Sequence, residues 1–237
     1  MAAIFFSLLM PGSPPFGTTL FVTALVLLGI IITLFTSWLL SKTLLRGVPS
    51  AFTLELPPYR LPKVGALLVR SVFDRTLFVL LRAIVVAAPA GAITWAFANL
   101  QFGGANLITH VAGGLQGFGS LLGLDGYILL AFLLGLPANE IVLPILIMSY
   151  LSHGAMVELN SISALRSLFL AQGWNWLTAL NMAIFSLLHF PCATTLLTVY
   201  KETLSKKWSL VAVLLPTLIA MALCFCLTQL AQLLNLV

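Results

Sequence analysis

Apolar residues run along this chain in long blocks, and the polar residues collect between the blocks instead of alternating with them. A helix rises 1.5 Å per residue, so about 20 apolar residues cross the hydrocarbon core of a bilayer. Residues 18–41 predict one such span, and 77–98, 176–200 and 208–234 predict three more. A further apolar block at 127–151 is interrupted in its middle by the string GLPANE. The short alternating segments of a membrane barrel are missing from this pattern. It predicts an all-α integral membrane protein: a polytopic helical bundle with a broken or re-entrant helix pair at 127–151 and a proline-kinked helix at 176–200.

The connections carry their own signals. Residues 42–76 hold Pro49, Pro57, Pro58 and Pro62, followed by a stretch at 63–75 with Lys63, Arg70 and Arg75. Proline fixes φ and restricts the residue before it, so 57–62 reads as extended and 63–75 as an amphipathic surface helix. Seven basic residues from Lys42 to Arg82 face only Glu55 and Asp74, which marks 42–76 as a cytoplasmic loop. Arg82 snorkels to that interface, and Pro89 predicts a kink in the second span. The glycine-rich residues 99–126 suit an outer loop or a surface helix, and 152–175 a polar connection.

Charge bears on the interrupted block. One full crossing at 127–151 leaves the cluster Lys201, Lys206 and Lys207 outside. A re-entrant hairpin brings it to the same side as the Lys42–Arg82 cluster, as the positive-inside rule favours. Broken helices at membrane depth occur where they are buried in protein or line a wet cavity, the usual setting of a transport site.

Composition narrows the function classes. The 237 residues are 61% hydrophobic and 7% charged, with mean hydropathy +1.13. Soluble domains carry about 25% charged residues, so this chain cannot cover itself for water. Its net charge of +5 sits beside apolar spans, which indicates a lipid bilayer and no nucleic acid as partner. The N-terminus MAAIFFSLLMPGSPPFG lacks a signal peptide's basic start and reads as the end of a span cut short. No Walker loop, HExxH, GxSxG or dinucleotide fingerprint is present, which leaves hydrolysis by this chain unsupported. The cysteines, Cys192, Cys224 and Cys226, all fall in predicted spans and make no disulfide framework. Cys224 and Cys226 read as packing residues.

Glu140 carries the most information. A carboxylate at membrane depth costs about 2.5–3.5 kcal/mol even on lenient insertion scales. With Asn139 and the backbone freed around Pro137 it forms a candidate cation or proton site; the competing reading is a cap on the second half-helix. His189 and Cys192 are three residues apart and would share a face of a continuous helix, where imidazole and thiolate suit a borderline divalent metal. The competing reading is an interhelical hydrogen bond and an inert thiol. Pro191 breaks this helix, and Thr194, Thr195 and Thr198 repair the break or face a pore. Asn181 is placed to bond across helices. His110, His153 and Glu158 read as solvated polar residues.

The strings LELPPYRLP (54–62), GLPANEIVLPILIMSYL (135–151) and GWNWLTALNMAIFSLLHFPCATTLLTVYKET (173–203) resemble the C-terminal membrane region of FeoB ferrous-iron transporters. The resemblance implies a permease module that passes Fe(II) inward across the bacterial cytoplasmic membrane, related to the gate domains of nucleoside-type carriers. It implies Cys192, Glu140, His189 and Asn139 as transient metal ligands, with Fe(II) as transported substrate and no permanently bound cofactor. It also implies a partner carrying the GTPase domain and first gate that this sequence lacks, and a homo-oligomer fits as well. The alternatives are a non-transporting assembly subunit, a gene remnant, and a gate-type carrier of an organic solute.

Overall fold

The computed structural model describes residues 15–43, 76–151 and 161–235, with Gly65, Val69 and Phe73 between the first two stretches. The expectations for the proline run and surface helix of 44–75, for the side chain of Arg82, and for His153 and Glu158 lie outside the described residues. The helices are α1 (Pro15–Lys42), α2 (Phe78–Asn99), α3 (Leu107–Leu121), α4 (Gly126–Leu134), α5 (Val142–Leu151), α6 (Ile162–Ala171), α7 (Trp176–Leu188), α8 (Ala193–Thr203) and α9 (Lys206–Leu233). A two-residue antiparallel hairpin, β1 (Gln101–Phe102) with β2 (Ala105–Asn106), joins α2 to α3.

Residues 16–42, 176–203 and 206–233 are helical stretches long and apolar enough to cross a membrane. Pro89 and Pro216 are both accommodated inside uninterrupted helices, α2 and α9. Burial separates an inner group from an outer one. Ile128 and Leu130 of α4, Ile145 and Leu146 of α5, and Met182 of α7 are fully buried. On α1 the large side chains Leu20, Ile31, Leu34 and Phe35 are exposed instead. Apolar side chains facing outward along a whole helix are what a lipid-facing or subunit-facing element presents.

Two regions give form to the expectation drawn from sequence. Of the two forms that suit 99–126, loop and helix, most of the stretch takes the helix: it contains the hairpin and α3, and α3 meets α4 at a bend of 111°. Glycine makes this turn possible. Gly123 has φ +65°, which a side chain rarely tolerates, and a Cβ on Gly126 would lie 1.9 Å from the Ala112 carbonyl oxygen. A sharp bend therefore sits at Gly123–Gly126, one helix before the interruption between α4 and α5 that the sequence singles out. The second region is at Pro191. The helix breaks there, as Pro191 predicts: His189 and Cys192 are both extended, with ψ 177° and 158°. Pro191 lacks the N–H that would continue α7 and holds Phe190 out of the helical region.

Polar ties fix the ends of the inner helices. Asp125 caps α4 by accepting from the Ile128 N–H at 2.7 Å, and its other oxygen accepts a short hydrogen bond from the Tyr150 hydroxyl. The Trp174 indole N–H in turn donates to Tyr150 Oη at 2.8 Å, and Trp174 stacks on Phe169. Asn181, fully buried, does bond across helices: its amide donates to Thr228 Oγ1 of α9 and to the Leu122 carbonyl, both at 2.9 Å. Each such bond in a membrane protein is worth about 0.6 kcal/mol on average and up to about 1.7. Asn181→Leu removes both bonds together, and thermal unfolding in detergent is expected to fall by about 1–3 kcal/mol. An unchanged midpoint would contradict this account of the α7–α9 contact.

Candidate functional site

Two interruptions meet at the centre of the inner group. The first runs from Gly135 to Ala138, after which Asn139–Ile141 form one 3₁₀ turn leading into α5. The second is the extended stretch His189–Cys192 between α7 and α8. The Ala193 N–H, at the start of α8, donates to the Leu136 carbonyl oxygen at 2.9 Å. Each break thus supplies a partner that the other had left without one, as backbone at membrane depth requires.

Beside this junction lies a cavity of about 330 Å³ walled by α1, α4, α5 and α7. Asn139, Glu140, Ser186 and His189 line it, with Phe132 and Leu25 among its apolar neighbours. Three buried side-chain atoms of these residues have no hydrogen-bond partner: Asn139 Oδ1, Ser186 Oγ and His189 Nε2. Buried polar atoms are normally paired, so three orphans on one cavity wall call for a ligand or water.

The imidazole is held in a defined orientation. His189 Nδ1 lies 3.0 Å from the Ser186 carbonyl oxygen and 3.1 Å from that of Phe185. Carbonyls only accept, so Nδ1 carries the proton and Nε2 presents its lone pair in the neutral ring. A backbone carbonyl on one ring nitrogen is the usual support of a histidine that binds metal through the other. The rings of Phe132 and Phe190 pack at 4.8 and 5.2 Å and fix the plane. Glu140 is exposed within the described residues and makes no hydrogen bond or ion pair among them. Glu140 lies in the first turn of the 3₁₀ segment that leads into α5, so its carboxylate stands at the N-terminal end of the second half-helix.

Of the four residues singled out from sequence, the structure brings Asn139, Glu140 and His189 together and leaves Cys192 outside this cavity wall. Cys192 is the residue before α8, and its Sγ lies 3.1 Å from Thr194 Oγ1 and 3.2 Å from Thr195 Oγ1. Ser186 is the member that sequence reasoning missed; its signal was the i, i+3 spacing to His189. Among the described residues no group of three or more His, Cys, Asp or Glu is arranged to hold a metal ion. The donor set of the cavity is instead mixed: one imidazole nitrogen, one carboxylate, one amide oxygen and one hydroxyl. His110 Nε2 contacts the Phe102 carbonyl oxygen at 2.8 Å and ties α3 to the hairpin. Cys224 is buried with Sγ 3.6 Å from the Asn181 carbonyl oxygen, whereas Cys226 is exposed.

An all-helical membrane protein in which two interrupted helices meet over a polar cavity is defined by these features. The Gate family, described as nucleoside recognition, matches residues 80–207, more than half of the chain, and the chain belongs to that family. Residues 22–74 match the family described as Ferrous iron transport protein B C terminus. The chain is 29% identical over 224 residues to the Fe(2+) transporter FeoB of Staphylococcus aureus strain MSSA476, covering 91% of this chain and 32% of that protein. It is 26% identical over 208 residues to the Fe(2+) transporter FeoB of Methanocaldococcus jannaschii, covering 81% of this chain and 29% of that protein. For the Fe(2+) transporter FeoB of Synechocystis sp. PCC 6803 the identity is 25% over 172 residues, with 71% and 26% covered. The chain thus spans about a third or less of the length of these relatives, and the first matched segment is their C-terminal part. No solved structure matches the chain significantly.

Proposed function

We propose that this chain is the C-terminal gate portion of a FeoB-like permease and that Fe(II) is its transported substrate. The observation that carries the reading is the cavity at the meeting of the two breaks, with its three unpartnered atoms and the unpaired Glu140 carboxylate. Fe(II) is a borderline cation that accepts imidazole nitrogen and oxygen donors together. His189 Nε2, Asn139 Oδ1 and Glu140 replace part of its water shell, while Ser186 supplies a further oxygen. Such a mixed set binds weakly enough for release, as conduction demands. Cys192 serves as a separate thiol ligand on the path, next to the cavity in sequence and outside its wall.

In this reading the module is no enzyme. It lies in the bacterial cytoplasmic membrane with Lys42 and the Lys201–Lys207 cluster inside, and works with a portion carrying the GTPase domain and first gate. Anaerobic uptake of radioactive Fe(II) by iron-transport-deficient cells tests it, with the chain expressed alone and beside such a partner. Uptake with the partner is expected, and Glu140→Gln is expected to lower it by about tenfold while membrane insertion is kept. Absence of uptake from correctly inserted protein, or uptake of a nucleoside in its place, would overturn the proposal. Cys192→Ala separates the two stations: uptake is expected to fall, and Fe(II) affinity measured on the purified chain to stay within about twofold, because the thiol does not line the His189 cavity. A parallel loss of affinity would put the thiol into the same site as His189.

A further inference from the structure

The cavity that holds His189 is not isolated. Helix α1 carries one stripe of residues at i, i+3, i+4 spacing: Val22, Leu25, Val26, Gly29, Thr33, then Thr36 with Ser37. The first three of these line the His189 cavity. Thr33, Thr36 and Ser37 line a second cavity of about 360 Å³, closed on other sides by His189 and by Pro216 of α9. Between the two, Gly29 and Thr33 line a third of the same size. Along α1 the distance from Leu25 to Thr36 is about 16 Å. His189 is common to the first and second cavities, so its ring borders both.

One side chain divides this groove. Leu187 lines all three cavities and seats on α1 at Gly29, where an added Cβ would stand 3.2 Å from Leu187 Cδ2. On one side of Leu187 are the donors of His189, Asn139 and Glu140. On the other are three hydroxyls. Thr33 Oγ1 donates to the Gly29 carbonyl at 2.8 Å, which satisfies its proton and leaves its oxygen able to accept. The hydroxyl end of the groove is the end nearer Lys42, whose ammonium lies 4.3 Å over the Trp38 ring, an arrangement of residues at a membrane interface. Thr33, Thr36 and Ser37 lie together where α1 lines the second cavity, and hydroxyls gathered on a cavity-lining face of a membrane helix suit contact with water.

We propose that the cation leaves the His189 cavity along α1, into the cavity of Thr33, Thr36 and Ser37, and that Leu187 seated on Gly29 is the apolar partition it passes. This inference rests on the reading of the His189 cavity as the cation site. It assigns α1 a part in conduction, although α1 precedes the residues matched to the Gate family. An apolar side chain on a glycine closes by excluding water and opens by a rotamer change, with no hydrogen bond to break.

Thiol labelling tests the path. The full chain is expressed in membranes as Thr36→Cys, Ser37→Cys and, as control, Ile31→Cys. Ile31 lies on the same helix, is 63% exposed and lines none of the three cavities. A charged methanethiosulfonate reagent is expected to modify Thr36→Cys and Ser37→Cys about tenfold faster than Ile31→Cys, since only a wet face presents a reactive thiolate. Anaerobic Fe(II) is expected to slow both severalfold. Equal rates at all three positions would overturn the path and return the stripe to lipid. The labelling reports water and needs no metal, so it stands apart from Fe(II) titration of His189→Ala. Retained affinity in that variant removes the cation site, whereas uniform labelling removes the onward path.

Discussion

His189→Ala is expected to weaken Fe(II) binding to the purified chain by at least about tenfold, or about 1.4 kcal/mol. The imidazole is the one nitrogen donor of the cavity, and it is positioned before any cation arrives. Its Nδ1–H is committed to the Ser186 and Phe185 carbonyls, its plane is fixed by Phe132, and its Nε2 is buried without a partner. Preorganised donors lose little on binding, so their removal is felt in full. The substitution leaves the α7–α8 break in place, because that break follows from Pro191 and from the Leu136–Ala193 hydrogen bond. Helical content is therefore expected to stay unchanged while affinity falls. Anaerobic titration with Fe(II), with circular dichroism on the same samples, reads both. Unchanged affinity would remove His189 from the site.

Gly126→Ala is expected to have the largest effect on stability of any single methyl addition in the described residues. The added carbon would stand 1.9 Å from the Ala112 carbonyl oxygen and 3.0 Å from the Gln116 nitrogen, both backbone atoms of α3. Backbone cannot rotate aside as a side chain does. The two helices must part, and Gly126 loses the hydrogen bond its N–H donates to Gln116 Oε1 at 2.8 Å. Overpacking costs about 1–3 kcal/mol when side chains yield, and the upper end or beyond is expected here. Gly113→Ala provides the contrast. A Cβ at Gly113 meets nothing within 4 Å, and alanine there is expected to stabilise α3 by about 0.5–1 kcal/mol. Thermal unfolding of the two variants in detergent checks the pair; equal midpoints would show that α3 and α4 do not pack as described.

Residue chemistry made both interruptions legible in the sequence. Proline cannot donate, and GLPANE and HFPC are short departures from otherwise apolar blocks, so the breaks followed from local rules. What local rules could not show is that the breaks touch. The Leu136–Ala193 hydrogen bond joins residues far apart in sequence, and the cavity beside it is walled by α1, α4, α5 and α7 together. The pairing of His189 with Cys192 shows a second limit. Three residues apart share a face only while the helix between them is continuous, and Pro191 ends that continuity, so the thiol turns to Thr194 and Thr195. Ser186 went unnoticed because a lone serine in an apolar helix usually bonds back to its own turn. The glycines of 99–126 left loop and surface helix both open, since glycine disfavours helix. Here Gly119 and Gly126 serve close approach, with Cβ positions 3.0 Å or less from backbone atoms of the neighbouring segment.

Iron K-edge X-ray absorption on the Fe(II)-loaded chain under anaerobic conditions shows whether His189 holds the cation, because it reports the atoms bound to the metal. At one Fe(II) per chain, with the His189 cavity filled before the separate Cys192 station, a first shell of nitrogen and oxygen only is expected, with the outer-shell pattern of an imidazole that disappears in His189→Ala and persists in Cys192→Ala. A sulfur neighbour that is lost in Cys192→Ala would contradict it and move the cation from the His189 cavity to the thiol at the start of α8.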